Sequence, residues 1–167
     1  SRHGLIKSEL TVFDYGCGKG DDIRGLVENG IQASGWDPYY ASEQNLQCAD
    51  IVNLGFVINV IEDREERIEA LANAYKLAKK LLVVSVMLSN SNNKGGDTFA
   101  DGVLTKRGTF QKYFSQTEIK TFIEQVTGEE HIPVAPGVIF LFKDKELEQR
   151  FLIDRQRTKR NLLHAPR

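Results

Sequence analysis

The stretch VFDYGCGKGDD, residues 12 to 22, decides how the rest of the chain is interpreted. Apolar β-forming residues lead to an acidic residue, Asp14, and glycines follow at positions 16, 18 and 20. Two aspartates then open a segment with the pattern of a helix, which ends at the Asn29-Gly30 pair. Glycines in such a strand-to-helix turn allow the backbone to come close to a ligand. The stretch therefore predicts a ligand site at the end of the first strand.

The composition is that of an ordinary globular protein, and its overall charge favours no class of binding partner. The 167 residues predict one domain with a sizeable core, and the net charge of −1 indicates neither nucleic acid nor membrane. No apolar run approaches the roughly 20 residues that a bilayer span needs. The two cysteines suit a reducing cytoplasm, and the scattered histidines have no metal-ligand spacing. We therefore expect a cytoplasmic protein without a membrane anchor or a metal.

Strand and helix patterns alternate along the chain. Strands are predicted within residues 11–15, 31–37, 50–59, 81–87, 131–135 and 138–142. Asp63 and Ser115 each precede a glutamate by three residues, a capping-box pattern that predicts the start of a helix. The first of these helices is expected to bury Ile68, Leu71, Ala72, Tyr75 and Ala78. Ile119, Phe122, Ile123 and Val126 form the apolar side of the second, and Gly128 ends it.

This alternation predicts a three-layer α/β sandwich around a mainly parallel, Rossmann-like sheet. The last two strands are separated only by Pro136-Gly137, a turn short enough for an antiparallel hairpin. Residues 89–113 are too polar and too rich in glycine and asparagine for regular packing. A loop of that length is typically a functional lid or a disordered segment.

The residues around the glycine turn favour one cofactor over another. The glycines are spaced G-x-G-x-G, unlike the G-x-G-x-x-G of dinucleotide sites. Asp14 would repel a phosphate and favour a cationic group, such as the ammonium of an amino acid. Asp37 ends the second strand, where a carboxylate can accept both hydroxyls of a ribose. A ligand with a ribose and an amino-acid end but no phosphate is S-adenosylmethionine, which is favoured over a nicotinamide cofactor.

At these residues the chain resembles a known family. DYGCGKG, residues 14–20, looks like the first motif of class I methyltransferases. Residues 35–86, 108–124 (GTFQKYFSQTEIKTFIE) and 136–144 (PGVIFLFKD) are similar to a narrower group, the DNA phosphorothioation-associated methyltransferases of bacteria. The resemblance covers nearly the whole chain and implies a seven-stranded sheet whose last strand is antiparallel. It also implies a fragment of a longer protein, with a methyltransferase-like domain over residues 1–150 and a basic tail over residues 151–167.

One departure from the general class puts adenine recognition in doubt. Only twelve residues separate Asp37 from the strand that begins at Asp50, whereas a usual methyltransferase fits a helix and another strand there. This third-strand unit is therefore predicted to be shortened or missing, and adenine recognition would fall to residues 38–40 and 43–48. The full set of predicted cofactor-binding residues is Asp14, Gly16, Cys17, Gly18, Gly20, Asp37, Pro38, Asn53, Leu54 and Gly55.

Several other side chains could either contact a ligand or serve only to stabilise the fold. Trp36 suits core packing better than an adenine platform, and Asn59 suits the start of a helix. Phe110, Tyr113 and Phe114 either clasp a substrate base or pin the long loop. Methyl transfer from a sulfonium needs mainly correct placement of the nucleophile, which the substrate supplies. The motifs of adenine-N6 and cytosine-C5 methyltransferases do not occur, so the sequence identifies neither a catalytic residue nor a methyl acceptor.

We therefore predict an S-adenosylmethionine-dependent methyltransferase of a bacterial DNA-modification or phosphorothioation system, with DNA or other proteins of that system as partners. The alternative is a non-catalytic module that keeps the fold to bind DNA or partner proteins. The tail carries Arg155, Arg157, Lys159, Arg160 and Arg167 against one acid, Asp154. Such a cluster can neutralise phosphates, although a basic chain end is often only solvated.

Overall fold

The computed structural model describes residues 10–16, 20–37, 42, 45–89, 97–99, 101–104 and 109–164. The helices are α1 (Asp21–Glu28), α2 (Arg64–Leu77), α3 (Gln116–Thr127) and α4 (Lys145–His164). The strands are β1 (Thr11–Tyr15), β2 (Gln32–Trp36), β3 (Ala49–Gly55), β4 (Ala78–Ser85), β5 (Asp97–Phe99), β6 (Gly102–Leu104), β7 (Phe110–Gln111), β8 (Ile132–Ala135) and β9 (Val138–Phe142).

The main sheet of the described residues is mixed but largely parallel and has six strands, in the order β2-β1-β3-β4-β9-β8, one fewer than the resemblance implies. Strands β2, β1, β3 and β4 are parallel neighbours, whereas β9 runs antiparallel to β4. β8 is antiparallel to β9, and the turn between them contains Gly137 with φ +73°. Any residue other than glycine is disfavoured at that φ. This arrangement confirms the predicted α/β class with its mainly parallel sheet.

Side chains alternate between the two faces of the sheet, and each face carries its own helices. Phe13, Val52 and Leu82 belong to one buried cluster, which also includes Leu71 of α2 and Ile123 of α3. The neighbouring residues Val12, Ile51 and Leu81 belong to a second cluster, together with Phe151 of α4 and the half-buried Leu26 of α1. The near-continuous apolar runs of β4 and β9 follow from this double coverage. The chain is therefore a three-layer sandwich.

The two predicted helix starts differ in detail. Ser115 and Glu118 form the predicted capping box: Ser115 Oγ accepts from the Glu118 N–H at 3.0 Å, and Glu118 Oε1 accepts from the Ser115 N–H at 3.1 Å. Asp63 is the N-cap of α2, but its carboxylate accepts from the Glu65 N–H at 3.0 Å. The reciprocal bond from Glu66 is not formed there. α3 ends at Gly128, with φ +70°, as its sequence predicts.

The predicted buried side of α2 is partly wrong. Ala72 is exposed, and Ala78 is already the first residue of β4, so helix and strand join directly. Arg67 is 3% exposed instead and belongs to the buried side of the helix. Its Nη2 donates to Asp101 Oδ1 at 2.6 Å and to the Glu62 carbonyl at 3.0 Å. An ion pair offsets the cost of burying this charge, which a pattern of apolar residues does not reveal.

The prediction that residues 89–113 lack regular structure is also wrong for the part that is described. Strands β5, β6 and β7 form a small antiparallel sheet. The segment is attached to the main body by main-chain bonds: the Lys112 N–H donates to the Asn59 carbonyl at 2.7 Å and the Phe114 N–H to the Met87 carbonyl at 3.0 Å. Asn59 is 2% exposed at this contact, several residues before α2, so its assignment to a helix start is wrong.

The segment after the edge strand β2 and the C-terminal helix α4 each differ from a simple reading of the chain. β2 is the outermost strand on its side of the described sheet, and the described residues between Asp37 and β3 form neither helix nor strand. α4 continues across the domain boundary drawn at residue 150, since Phe151 packs in the core and the helix ends at His164. Among the helices of the described chain, none is both long enough and apolar enough to cross a bilayer.

Candidate functional site

A cleft opens at the carboxyl ends of three neighbouring parallel strands. Its volume is about 600 Å³. It is lined by Tyr15, Gly16, Trp36, Asp37, Gly55, Phe56, Val57, Val60, Ile61, Glu62, Glu66, Glu69 and Ala70. The residues that end β1, β2 and β3 meet here because parallel strands bring their carboxyl ends to one edge. In open α/β sheets this edge is where ligands bind.

Asp14 occupies the central position of this edge. It lies opposite Gly35 of β2 and Asn53 of β3 and is 8% exposed. Asn53 Nδ2 donates to Asp14 Oδ1 at 3.2 Å. The structure therefore brings together two predicted site residues that are 39 positions apart, and the amide of Asn53 orients the carboxylate of Asp14.

The glycine turn after β1 depends on glycine for a steric reason as well as for any ligand. Gly16 has φ +84°, and its N–H donates to the Trp36 carbonyl at 2.7 Å. A Cβ on Gly16 would lie 2.5 Å from Val57 Cγ2. Gly20, with φ +83°, is the N-cap residue of α1. The predicted site residues Cys17 and Gly18 lie outside the described part of the chain.

The second wall of the cleft begins at the end of β2. Asp37 follows Trp36 directly, and the Trp36 ring packs against Tyr15 with 5.3 Å between ring centroids. Trp36 is half-buried against the core and also lines the cleft, so its two interpretations are compatible. Pro38 and the other proposed adenine contacts at residues 39, 40, 43 and 44 lie outside the described residues. Of the predicted adenine segment, the structure describes residues 45–48, in which Leu46 is 45% exposed.

The end of β3 brings main-chain atoms to the cleft, together with one side chain that the sequence did not predict there, that of Phe56. Leu54 is fully buried in the core, so only its main chain can face a ligand. A Cβ on Gly55 would lie 3.1 Å from Asn53 Nδ2. Phe56, the next residue, has φ +58° and a side chain that is 53% exposed. Sequence reasoning missed Phe56, because a phenylalanine after a strand looks like ordinary core.

The aromatic residues proposed to clasp a base have mostly structural surroundings. Phe110 is 8% exposed and Phe114 is 2% exposed. Phe114 packs against Phe122 of α3, with 6.3 Å between ring centroids, and the Arg67 guanidinium lies 5.9 Å from the Phe110 ring. Lys112 Nζ also lies 5.0 Å from the Phe114 ring centroid. These contacts favour the interpretation that Phe110 and Phe114 pin the segment to the body.

The cleft has an acidic lining. Asp37, Glu62, Glu66 and Glu69 all line it, and its described lining residues include neither lysine nor arginine. Glu66 and Glu69 of α2 are exposed and line the cleft as well. Like charges along one wall raise the cost of placing a phosphate there and lower the cost of placing a cation.

Several solved structures with a similar fold are methyltransferases. The 1,6-didemethyltoxoflavin-N1-methyltransferase of Burkholderia thailandensis, with bound 1,6-didemethyltoxoflavin and S-adenosylhomocysteine, matches with a TM-score of 0.58 at 14% identity. The match covers 81% of this chain and 71% of that one. A sugar N-methyltransferase from Streptoalloteichus gives 0.60 at 14% identity, covering 80% of each chain.

A third match, an S-adenosylmethionine-dependent methyltransferase from Methanosarcina mazei, has a TM-score of 0.58 at 14% identity and covers 84% of this chain and 93% of that one. The fold is therefore that of the class I S-adenosylmethionine-dependent methyltransferases. The cofactor predicted from the glycine turn is one that these structural neighbours use. No protein-family model matches the chain, and no curated protein matches it by sequence.

Proposed function

We propose that the protein is an S-adenosylmethionine-dependent methyltransferase whose cofactor binds at the carboxyl edge of β1, β2 and β3. The single observation that carries this proposal is the cleft, which gathers Gly16, Asp37 and Gly55 at the ends of three strands, with Asp14 buried at the same edge of the sheet. The similarity of fold to enzymes that use this cofactor supports the proposal.

The residues at this edge suit the cofactor. Asp14 would accept hydrogen bonds from its ammonium, and the Asp37 carboxylate would accept them from the ribose hydroxyls. Gly16 and Gly55 leave the backbone open to close approach, and we expect the same of Gly18 and Gly20, with Cys17 contributing its main chain. Asn53 would act through Asp14, because its amide donates to that carboxylate. When bound, the cofactor supplies an electrophilic methyl group, and the chain positions it and limits access of water.

Within this function we propose a narrower role in a bacterial DNA-modification or phosphorothioation system, in the cytoplasm. Two features support contact with DNA. Residues 150–160 of α4 contain five basic residues and one acid, Asp154. Every side chain from Ile153 to Leu162 is exposed. The basic tail thus begins inside a helix that could present its cations to phosphates.

The same helix favours a second candidate function, a non-catalytic module that binds DNA or partner proteins. In that case the cleft would be a remnant of the fold, and α4 would carry the activity. The shortened unit that the sequence predicts after Asp37 is in keeping with this alternative, because in a usual methyltransferase that unit supplies an adenine contact. The division into a domain over residues 1–150 and a tail over residues 151–167 remains a prediction.

Isothermal titration calorimetry with S-adenosylmethionine and S-adenosylhomocysteine tests the main proposal. We expect one binding site per chain for both compounds, and weaker binding of both by Asp37→Ala. The control is Glu130→Gln, which removes an exposed carboxylate outside the cleft lining. If neither compound binds the folded wild-type protein at millimolar concentration, the non-catalytic module becomes the better account.

A further inference from the structure

Phe56 has a backbone conformation that its residue type disfavours. Its φ of +58° is the only positive φ at a non-glycine position in the described chain. Asparagine or glycine would adopt this conformation at lower cost, whereas a bulky residue there is an outlier. The conformation is held in place by a bond from the Phe56 N–H to the Ser85 carbonyl at 2.8 Å. Such outliers concentrate at functional sites.

The ring of Phe56 does little for the core. Phe56 is 53% exposed, and Val60, four residues further along the chain, is 51% exposed. Both line the cleft, whereas the neighbouring Ile58 is fully buried. A strained residue that leaves half of its apolar surface in water stabilises the folded state poorly. The exposed ring is better explained by a ligand that covers it.

Phe56 lies on the β4 side of the proposed cofactor contacts. Gly16, Asp37 and Gly55 lie at the ends of β1, β2 and β3, and Phe56 follows Gly55, with its N–H bonded to Ser85 at the end of β4. A cofactor whose contacts end at Gly55 would therefore leave the Phe56 ring and Val60 for the molecule that receives the methyl group. The acidic residues Glu62, Glu66 and Glu69 border the same cleft.

We propose that Phe56 and Val60 form an acceptor-binding platform that takes a planar ring without a phosphate group, either neutral or cationic. The ring would stack on Phe56, as aromatic rings do in offset or edge-to-face arrangements. The three glutamates would favour a positive charge on the ring and disfavour a negative one. This inference rests on the proposed function for the role of the platform, but the binding surface itself does not depend on the cofactor.

The test uses three rings of similar size that differ in charge: N-methylquinolinium, quinoline and quinoline-2-carboxylate. Binding of each to the wild-type chain is measured by ligand-observed NMR, with and without saturating S-adenosylhomocysteine. We expect affinity to fall in the order cation, neutral ring, anion. Phe56→Gly should weaken binding of the cation and the neutral ring about three- to ten-fold, the range for removing one aromatic stacking partner.

Two comparisons keep the result interpretable. Phe56→Gly suits φ +58° and is expected to fold, and Phe56→Tyr should restore ring binding. The triple variant Glu62→Gln, Glu66→Gln, Glu69→Gln should reduce the preference for the cation without abolishing binding of quinoline. Equal affinity of Phe56→Gly and wild type, no binding of any ring, or preference for the anion would each overturn the proposal. Failure to bind S-adenosylhomocysteine while the rings still bind would refute the proposed function and leave the platform standing.

Discussion

The cleft and the outer half of α4 are opposites in charge, although the whole chain is almost neutral. Asp37, Glu62, Glu66 and Glu69 line the cleft, whereas Arg155, Arg157, Lys159 and Arg160 are exposed on α4. The net charge of −1 averages over both regions. The cleft suits a ligand with cationic groups, and the helix suits an anionic polymer. Under the proposals above, the two regions serve separate binding functions that mutations can remove one at a time.

Replacing Gly16 should have the largest effect, and only on the cleft. Gly16→Ala combines a disfavoured φ of +84° with a distance of 2.5 Å between the new Cβ and Val57 Cγ2. We expect the free energy of unfolding, measured by urea denaturation, to fall by about 2–4 kcal/mol, and S-adenosylhomocysteine binding to be abolished.

Two variants control for Gly16→Ala. Gly25→Ala places a methyl group where no atom lies within 4 Å and should be neutral or stabilising. Gly16→Ala with Val57→Ala relieves the steric clash and should recover part of the stability. DNA binding by all three proteins should match wild type under conditions where they are folded. If DNA binding and cofactor binding disappeared together, the two regions would have to be treated as one site.

Asp37→Ala should have the next largest effect. Removing a carboxylate that accepts from ribose hydroxyls should weaken S-adenosylhomocysteine binding by about 1–3 kcal/mol, or roughly 5- to 150-fold. Calorimetry on the variant gives the number, and Asp37→Glu tests whether the position of the carboxylate matters. Unchanged affinity in folded Asp37→Ala would remove the ribose assignment.

Removing cations from α4 should act only on the other ligand. The variant Arg157→Ala, Lys159→Ala, Arg160→Ala should weaken binding to all duplexes alike, because bonds to phosphate carry no sequence information. The log–log dependence of affinity on salt should flatten by up to about 0.9 for each phosphate that is no longer neutralised. Fluorescence anisotropy with labelled duplexes of several sequences measures both effects.

The matched control for α4 removes three lysines elsewhere: Lys76→Ala, Lys79→Ala, Lys120→Ala. Both triple variants change the net charge equally, so a difference between them reports position. Equal weakening in the two variants would reduce the role of α4 to non-specific attraction by overall charge. Wild-type affinity in the α4 variant would leave that helix as a solvated end.

The smallest expected effect lies at the opposite edge of the sheet, away from the cleft. The Asp50 carboxylate accepts from the Thr11 N–H at 3.0 Å and from the Thr11 hydroxyl at 3.1 Å. The backbone bond from Thr11 is the main reason that the pKa of Asp50 lies below its usual value. A carboxylate whose pKa is lower in the folded state stabilises the protein at pH values above its unfolded-state pKa of about 4. This stabilisation disappears as the pH falls through the folded-state pKa.

Asp50→Asn should therefore lower the free energy of unfolding by less than about 1 kcal/mol at pH 7, with a smaller difference below about pH 4. Urea denaturation at both pH values gives the comparison. Binding of S-adenosylhomocysteine and of DNA should stay at wild-type levels. A difference between wild type and Asp50→Asn that grows as the pH falls would contradict the assigned role of the carboxylate.

Local chemistry made much of the fold predictable. The capping box at Ser115 and Glu118, the turn at Pro136-Gly137 and the apolar runs of β4 and β9 depend on neighbouring residues, so they appear in the sequence. The burial of Arg67 and the small sheet of β5, β6 and β7 were missed. Both depend on partners distant in the chain, such as Asp101 for Arg67.

The cleft likewise has some features that the sequence predicts and others that it does not. The position of Asp37 at the cleft and of Asp14 at the same edge could be predicted, because each lies at or next to the end of a strand and parallel strands deliver such residues to one edge. The bond from Asn53 to Asp14, the exposure of Phe56 and the glutamates of α2 facing the cleft could not. Each of these depends on how a helix or a neighbouring strand is rotated and placed, which the order of residues does not specify.

The most direct test of two separate regions is chemical-shift mapping by NMR on one ¹⁵N-labelled sample. S-adenosylhomocysteine is added first, and a short DNA duplex follows. We predict that the first addition shifts the amides of Gly16, Asp37, Gly55 and Phe56 and leaves residues 153–162 unchanged. The duplex should then shift residues 153–162 alone. Shifts of α4 on cofactor addition, or of the cleft on duplex addition, would contradict the account, as would the absence of any shift at the cleft.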